Sequence, residues 1–531
     1  MRPAIFFCFF LLLTSVLQAQ GRAGTDSLKE IRIIRAATST TRKSPSGGDV
    51  QTLAGKVVVQ QANTLFYCDS CILNPDANVF EAFGNVHIND KDTVDVYANY
   101  LRYFTNQRMA YLRGAVKLTD GHGTLTTPSL EYDVANKIGT YKEGGRVVNN
   151  KSVLTSVEGV YYADVRDIYF KRTVVLNDPA YHLTTDSLLY NTETTLATFI
   201  SKTFLRDSSG RTVETTAGQY DLRARNAIFT QRTTIRDGDI TVIGNEIAND
   251  DAAGISQVRG NGVLIDKKQG MTLLGNEIFA NKKTEAYLAT KKPLMIIKQN
   301  DDSIYVAADT LFSARLSDLY KKPVDSAKAA PVRGKKLQPV GKDSTDRYFE
   351  AFRNVRVFSD SLQSVSDSLF YSFKDSTFRL FQNPVVWSTD NQITGDTIYV
   401  ATKNKKPQHA RVFENGLVIN QMQPAVFNQV KGTRIDAFFK EGEIDSVRAK
   451  GAAESIYWVQ DSDSAFTNVN QSASEIMDAY FVAGDLARVV FRSNVQGTLW
   501  PASQKTPAEM RLKNFQWLDA RRPKTKYDLF E

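Results

Sequence analysis

The sequence predicts an all-β fold built from stacked repeats, and three observations predict it. The 22 Tyr and 30 Phe far outnumber the 4 Trp and 7 Met, a mixture that favours strands over helices. A spacing near 30 residues recurs along most of the chain. Within each spacing the apolar residues alternate over short runs such as Val86-His87-Ile88, Thr93-Val94-Asp95-Val96 and Met109-Ala110-Tyr111-Leu112, with no helical stretch long enough for a βαβ crossover.

The repeat is carried by two markers in phase. The first is an apolar residue directly after a Gly/Asn/Pro/Thr-type break, at Val57, Val86, Val116, Val147, Val174, Phe204, Ile235, Val263, Leu294, Val355, Val385 and Leu417; the gaps run from 27 to 32 residues except for one of 61. The second is a corner followed by an apolar residue, at Cys71, Leu101, Leu130, Val160, Leu188, Ile247, Ile278, Leu311, Leu369 and Ile398, with Tyr or Phe close behind. The doubled gap contains residues 317–347, rich in Lys, Pro and Ala, which read as a flexible basic insertion. A unit of this size cannot bury its apolar face alone, so neighbours must stack on a shared core. A jelly-roll-like open sandwich and a β-helix both satisfy that requirement.

The remaining segments follow in order. Residues 1–20 have the anatomy of an export signal: Arg2, an apolar run from Ala4 to Leu13, and small residues up to Ala19. The run is too short to span a bilayer, so the mature protein is expected to be exported, soluble and periplasmic, with an outer-membrane association left open. Residues 21–50 hold a first strand and a polar insertion at about 37–50. Repeats fill 51–316 and 348–432, longer terminal β units fill 433–500, and 501–531 read as a basic tail.

The net charge of +8 invites a nucleic-acid reading, but the excess sits in 21–49, 317–347 and 505–531. The body is slightly acidic, the opposite of a phosphate-tracking groove. Asp recurs at equivalent corners, in Asp69-Ser70, Asp186-Ser187, Asp309-Thr310, Asp367-Ser368 and Asp396-Thr397. An active site is one place, so a residue type repeated in register is better explained by turn hydrogen bonds than by acid catalysis. No catalytic residue, cofactor or metal is assigned. Cys68 and Cys71, three residues apart in an exported chain, read either as a local disulfide or as plain buried thiols.

At these residues a family resemblance emerges. Cys68-Asp69-Ser70-Cys71, the run from Asn78 to Asn89 (NVFEAFGNVHIN), Asp92-Thr93-Val94 and Ala98-Asn99-Tyr100-Leu101-Arg102-Tyr103 resemble the OstA/LptA family of lipopolysaccharide-transport proteins, in its large exported Bacteroidota form. Arg32-Ile33-Ile34-Arg35-Ala36 is similar to the strand that opens that domain. The resemblance is strongest over 30–200 and extends to about 420. It implies an elongated V-shaped β jelly roll, an apolar trough carrying lipid A acyl chains, and no enzymatic activity. It also implies end strands that pair edge to edge with the inner-membrane lipopolysaccharide export complex, with the outer-membrane translocon or with further copies. On that reading the lipid-contacting residues are Val86, Val96, Leu101, Tyr103, Val116, Leu130, Tyr132, Val160, Tyr162, Leu188 and Tyr190. An exported carbohydrate-active β-helix enzyme and a structural envelope repeat protein are the alternatives.

Overall fold

The computed structural model describes residues 30–43, 47–90, 94–298, 303–320, 345–403, 406–441, 443–482 and 485–530. The export signal and residues 321–344 of the basic insertion lie outside them. Among the described residues there are forty strands, one four-residue α-helix (Leu316–Leu319) and three 3-10 turns. The chain divides into two compact units, residues 1–178 with 189–193, and residues 179–188 with 194–531.

The first unit runs through β1 (Ile31–Arg35), β2 (Thr38–Lys43), β3 (Asp49–Gln61), β4 (Thr64–Asn74), β5 (Val79–Asp90), β6 (Val94–Phe104), β7 (Met109–Thr119), β8 (Gly123–Asp133), β9 (Ile138–Tyr141), β10 (Gly145–Asn149), β11 (Ser152–Ser156), β12 (Glu158–Tyr162) and β13 (Asp167–Asn177). From β3 to β8 the strands form an antiparallel meander in which each long strand is interrupted at its middle. There, two residues on one strand face a single residue on its neighbour. Gly55 and Lys56 lie opposite Asp69, Gly84 and Asn85 opposite Asn99, and Gly114 and Ala115 opposite Pro128.

Both members of each pair are left-handed, with φ of +71° and +43° at Gly84 and Asn85. Gly has no Cβ to oppose that conformation and Asn tolerates it. A two-against-one bulge bends its strand, so each long strand contributes one half to a front layer and the other to a back layer. Further along, the bend becomes a break. β9 and β12 pair within the front layer, and β10 and β11 within the back layer. The first marker series, Val57, Val86 and Val116, is the first inward residue after each bend.

The layers face one another: a Cβ placed on Gly139 of β9 would sit 3.4 Å from Leu118 Cδ1 of β7. In the back layer Val96, Leu118, Leu125, Val147 and Leu154 are successive cross-strand partners, all buried. In the front layer the row reads Tyr103, Ala110, Tyr132, Gly139, Tyr161. Large and small residues alternate there, which lets facing rings interdigitate at native density. Gly145 and Gly159 serve the Tyr141 ring in the same way, since a Cβ on either would lie within 2.5 Å of it.

The second unit repeats this plan. Paired left-handed residues mark its bends at Gly260/Asn261, Arg353/Asn354, Gln382/Asn383 and Glu414/Asn415, and its back layer carries the buried row Leu205, Val213, Ile235, Val242, Leu264 and Leu273. Toward its C-terminal end come four long strands, Lys406–Gln423, Val426–Lys440, Glu443–Gln460 and Phe466–Val482, followed by the shorter Asp485–Arg492 and Gln496–Pro501.

Three expectations change. Residues 38–43, inside the expected polar insertion, form β2, which pairs with the front half of β3 while β1 pairs with its back half; the run Thr-Ser-Thr-Thr lacks the apolar alternation that marks a strand because the strand is at an edge and exposed. The basic tail is packed. Its residues from Met510 to Leu529 cross the outer surface of the second unit's back layer, where Met510 and Leu512 join Leu417, Ile419, Phe427 and Trp458. Leu518 covers Val365, Val385 and Trp387, and Leu529 covers Leu294 and Ala307. The open side expected of the sandwich is closed, because the inward side chains are sealed from solvent almost without exception.

The apolar interior as candidate site

Nine of the eleven residues expected to touch lipid are buried: Val86, Val96, Val116, Leu101, Tyr103, Leu130, Tyr132, Leu188 and Tyr190. In the first unit Val86, Val96 and Val116 come from the back layer, and Leu101, Tyr103, Leu130 and Tyr132 from the front. Val160 and Tyr162 face the other way. On β12 the inward residues are Gly159 and Tyr161, Tyr162 being 39% exposed. A one-residue slip exchanges the faces of a strand, and here the large Tyr141 takes the space that a side chain at 159 would fill.

Cys68 and Cys71 are free thiols, both buried. They straddle the bend of β4 and are hydrogen-bonded to each other. That bond, then burial, pushes the Cys71 thiol far up, while the same bond draws Cys68 down against its burial. The recurring corner Asp also has a structural partner. Asn85 Nδ2 donates to Asp69 Oδ2 at 2.9 Å, Asn354 to Asp309 at 3.2 Å and Asn415 to Asp396 at 3.1 Å. Each carboxylate thus fastens the left-handed Asn of a neighbouring bend.

Buried polar groups occur at both edges of the interior. Beside the bends hydroxyls pair with one another, as Thr203 does with Thr185 at 3.0 Å, and at the opposite edge a second set lies where the hairpin turns of the front layer meet those of the back layer. Gln61 at a back-layer turn donates to the carbonyl of Thr105 at a front-layer turn, 3.2 Å, and accepts from the Tyr103 hydroxyl. Asp120 Oδ2 accepts from the Tyr161 hydroxyl at 2.7 Å and from Thr192 Oγ1 at 2.9 Å. Asn149 Nδ2 donates to the Thr192 carbonyl at 2.6 Å. In the second unit Arg211 grips Asp251 through two nitrogens, Nη2 lying 2.6 Å from Oδ2, and Lys282 reaches Asp237.

Burial raises the Asp120 carboxyl, but the Gly123 amide and the Tyr161 hydroxyl outweigh it and leave the group below its usual range. Burial likewise opposes ionisation of Asp251, and Arg211 with Tyr220 reverses the balance. Burial holds Tyr103 up at about 12. Sequence reasoning missed these pairs because Asp120-Gly121 reads as an ordinary turn and its partners lie 41 and 72 residues away.

The described residues also frame a cleft of about 790 Å³ between the bends at Asn354 and Asn383 and residues 519–524. It is polar, and several of its charges are engaged. Lys524 pairs with Asp519 at 2.9 Å, and Arg356 donates to the Asp528 carbonyl at 2.7 Å. No group of three metal-ligating side chains occurs among the described residues, and no described helix is long and apolar enough to cross a membrane.

Against known families, residues 29–186 match the family described as OstA-like protein. The chain carries an OstA-like region. That region spans β1 to the middle of the strand Tyr181–Asn191 and takes in the bends at Gly55, Gly84 and Gly114. Of solved structures, LptH from Pseudomonas aeruginosa, described as the LptA-homologous periplasmic component of the lipopolysaccharide transport device, is 21% identical to this chain. The likeness covers 22% of this chain and 84% of that one, with a TM-score of 0.19. No curated protein matches. Seven of the eleven expected contact residues, Val86, Val96, Leu101, Tyr103, Val116, Leu130 and Tyr132, are interior residues of the OstA-like region.

Proposed function

We propose that this is a periplasmic protein of lipopolysaccharide transport, a non-enzymatic carrier or bridge whose interior takes the acyl chains of lipid A between its two layers. The observation that carries the reading is the pair of facing apolar rows in the OstA-like region. Nine strands, β3 to β8 with β10, β11 and β13, build the back layer there, and at about 4.8 Å per strand they give an apolar path of roughly 40 Å. Such a path binds by buried area and needs few specific polar contacts. With the layers parted along one edge it becomes the V-shaped trough.

The terminal strands support a bridging role. β1 and β2 pair only with β3 among the described residues, and Ile33 and Ile34 are exposed at 42% and 55%. In the second unit Asp485–Arg492 and Gln496–Pro501 pair, among the described residues, only with Phe466–Val482. Unpaired edges recruit further strands, and the partners proposed are the inner-membrane export complex, the outer-membrane translocon or another copy.

A photocrosslinking side chain at Leu101 or Leu130 should capture lipopolysaccharide, and one at Tyr111, on the outer face of β7, should not. Leu130→Asp should lower capture below Leu130→Ala, since a carboxylate there is desolvated without a partner. Equal capture at Leu130 and Tyr111 would refute the reading. Export is tested separately: the N-terminus of periplasmic protein should begin near Gln20, and an intact Met1 in the cytosol would refute it.

A further inference from the structure

The two edges of the layered interior are built differently. Along the bends, front and back are joined by the backbone itself, strand after strand, and the Asp–Asn bonds reinforce that edge. Along the turns, the joints seen between layers are between side chains or from side chain to backbone. They come at intervals and in unlike chemistries: Gln61 with Tyr103 and Thr105, Asp120 with Tyr161 and Thr192, Asn149 with Thr192, Arg211 with Asp251, Asp237 with Lys282. Parting the layers at the bends would break backbone ladders. Parting them at the turns breaks only these pairs and the apolar contacts behind them.

We infer that the polar pairs between opposite turns are a clasp, and that its release opens the interior to an acyl chain while the bends act as the hinge. The inference rests on the lipid-carrying reading and adds how that site is opened. Closure explains why Leu101 and Leu130 are 0% and 2% exposed although they line the path proposed for lipid. It also explains why charged groups take part in the joints between opposite turns, at Asp120, Asp251 and Asp237. A buried hydrogen bond to a charged group holds well while it is intact, yet its partners are readily rehydrated once they separate. Apolar residues at the same turns would close the edge without that property.

The structure supplies a direct lock. A Cβ placed on Gly123, at a back-layer turn, lies 3.5 Å from the Thr192 Cβ at a front-layer turn, within the roughly 3.5–4.5 Å a disulfide spans. In the full chain, Gly123→Cys/Thr192→Cys with the photocrosslinker at Leu130 should capture lipopolysaccharide when reduced. Capture should fall at least about tenfold when the pair is oxidised by a small disulfide, which forms the protein disulfide and leaves as two thiols. Asp120→Ala, without lipid, should speed amide hydrogen exchange across the joint, at residues 190–193, by about tenfold or more, the loss expected for hydrogen bonds to a charged group. Residues 119–124 do not test the joint, because Asp120 Oδ1 also accepts from the His122 and Gly123 amides of its own turn. Exchange at the bends, residues 84–86 and 114–116, should not change.

Equal capture by the oxidised and reduced forms would overturn the clasp and leave the lipid reading standing. No capture by the reduced form or the parent would overturn both. Unchanged exchange at residues 190–193 in Asp120→Ala would overturn the clasp whatever the lipid result.

Discussion

Gln392→Ala tests whether the C-terminal segment is an integral part of the second unit. The Gln392 side chain is fully buried on the outer surface of the back layer, 0% exposed, and makes three hydrogen bonds there. Its Nε2 donates to the Gln516 carbonyl at 2.7 Å, and its Oε1 accepts from the Leu518 amide at 2.7 Å and the Trp387 indole at 3.3 Å. Gln429 grips the same segment alike, donating to the Met510 carbonyl at 3.0 Å and accepting from the Leu512 amide at 2.8 Å. Removing the Gln392 amide strands a carbonyl, an amide and an indole at a buried contact. At about 1 kcal/mol for each unsatisfied group the loss is about 3 kcal/mol. Gln516→Ala, which removes an exposed side chain and keeps the carbonyl, should stay within about 0.5 kcal/mol. Protection of the Leu518 amide in hydrogen exchange reads the effect locally, and protease cleavage between 505 and 530 reads it globally. The reasoning is refuted if Gln392→Ala leaves Leu518 as protected as in the parent and the segment as resistant to cleavage.

Two interior tyrosines of the same row should respond oppositely to loss of the hydroxyl. Tyr132 Oη is buried with no hydrogen-bond partner, so Tyr132→Phe should be neutral or stabilise by up to about 1 kcal/mol, whereas Tyr161→Phe removes a donor to Asp120 and should cost about 1–2 kcal/mol in denaturant melts. Gly84→Val should cost at least about 2 kcal/mol, because φ is +71° and its Cβ would lie 2.4 Å from Asp69 Oδ2; a melt like the parent's would refute the bend assignment. Asp120 and Asp251 both ionise below their usual range when folded, so the unfolded chain takes up protons first as pH falls. Their stabilisation is complete above about pH 4 and drains as pH drops through the folded values, and thermal melts should therefore be flat from about pH 5 to 7 and fall steeply below about 4. Asp251→Asn should flatten that fall.

The bends were legible in the sequence because they are local. Gly84-Asn85 and the Asn of Arg353-Asn354 suit a left-handed backbone, and the apolar residue that follows points inward, so a marker placed at Val86 or Val355 registers a geometric event. After Glu414-Asn415 that place falls to Gly416, and the marker Leu417 faces the tail. Burial of Leu101, Leu130 and Leu188 follows from the same phase. Val160 went astray because Gly159, lacking a side chain, leaves no hydrophobic mark on the strand although its position faces the interior. The tail went astray for a different reason. Its charged residues mask Met510, Leu512, Leu518 and Leu529, and what holds it down is glutamines 81 and 126 residues away, a separation over which no periodicity can report.

The turns opposite the bends show the same limit with a functional consequence. A bend must solve one backbone problem each time, so it does so mostly with a Gly or an Asn at one of its two positions and leaves a period. A joint between turns has only to hold two side chains together, which Gln with Tyr, Asp with Thr, Asn with a carbonyl or Arg with Asp can each do. Those solutions share no residue type and leave no period. They also differ in strength: the Arg211–Asp251 pair is bidentate and almost buried, with side chains 12% and 6% exposed, while Lys282 and Asp237 stand at 67% and 29%. The exposed pair is screened by water and salt and contributes little. Within the second unit, release should therefore begin at Asp237 and Lys282 and meet its main resistance at Arg211, giving the closing edge a graded order of opening that the uniform, backbone-joined edge does not have.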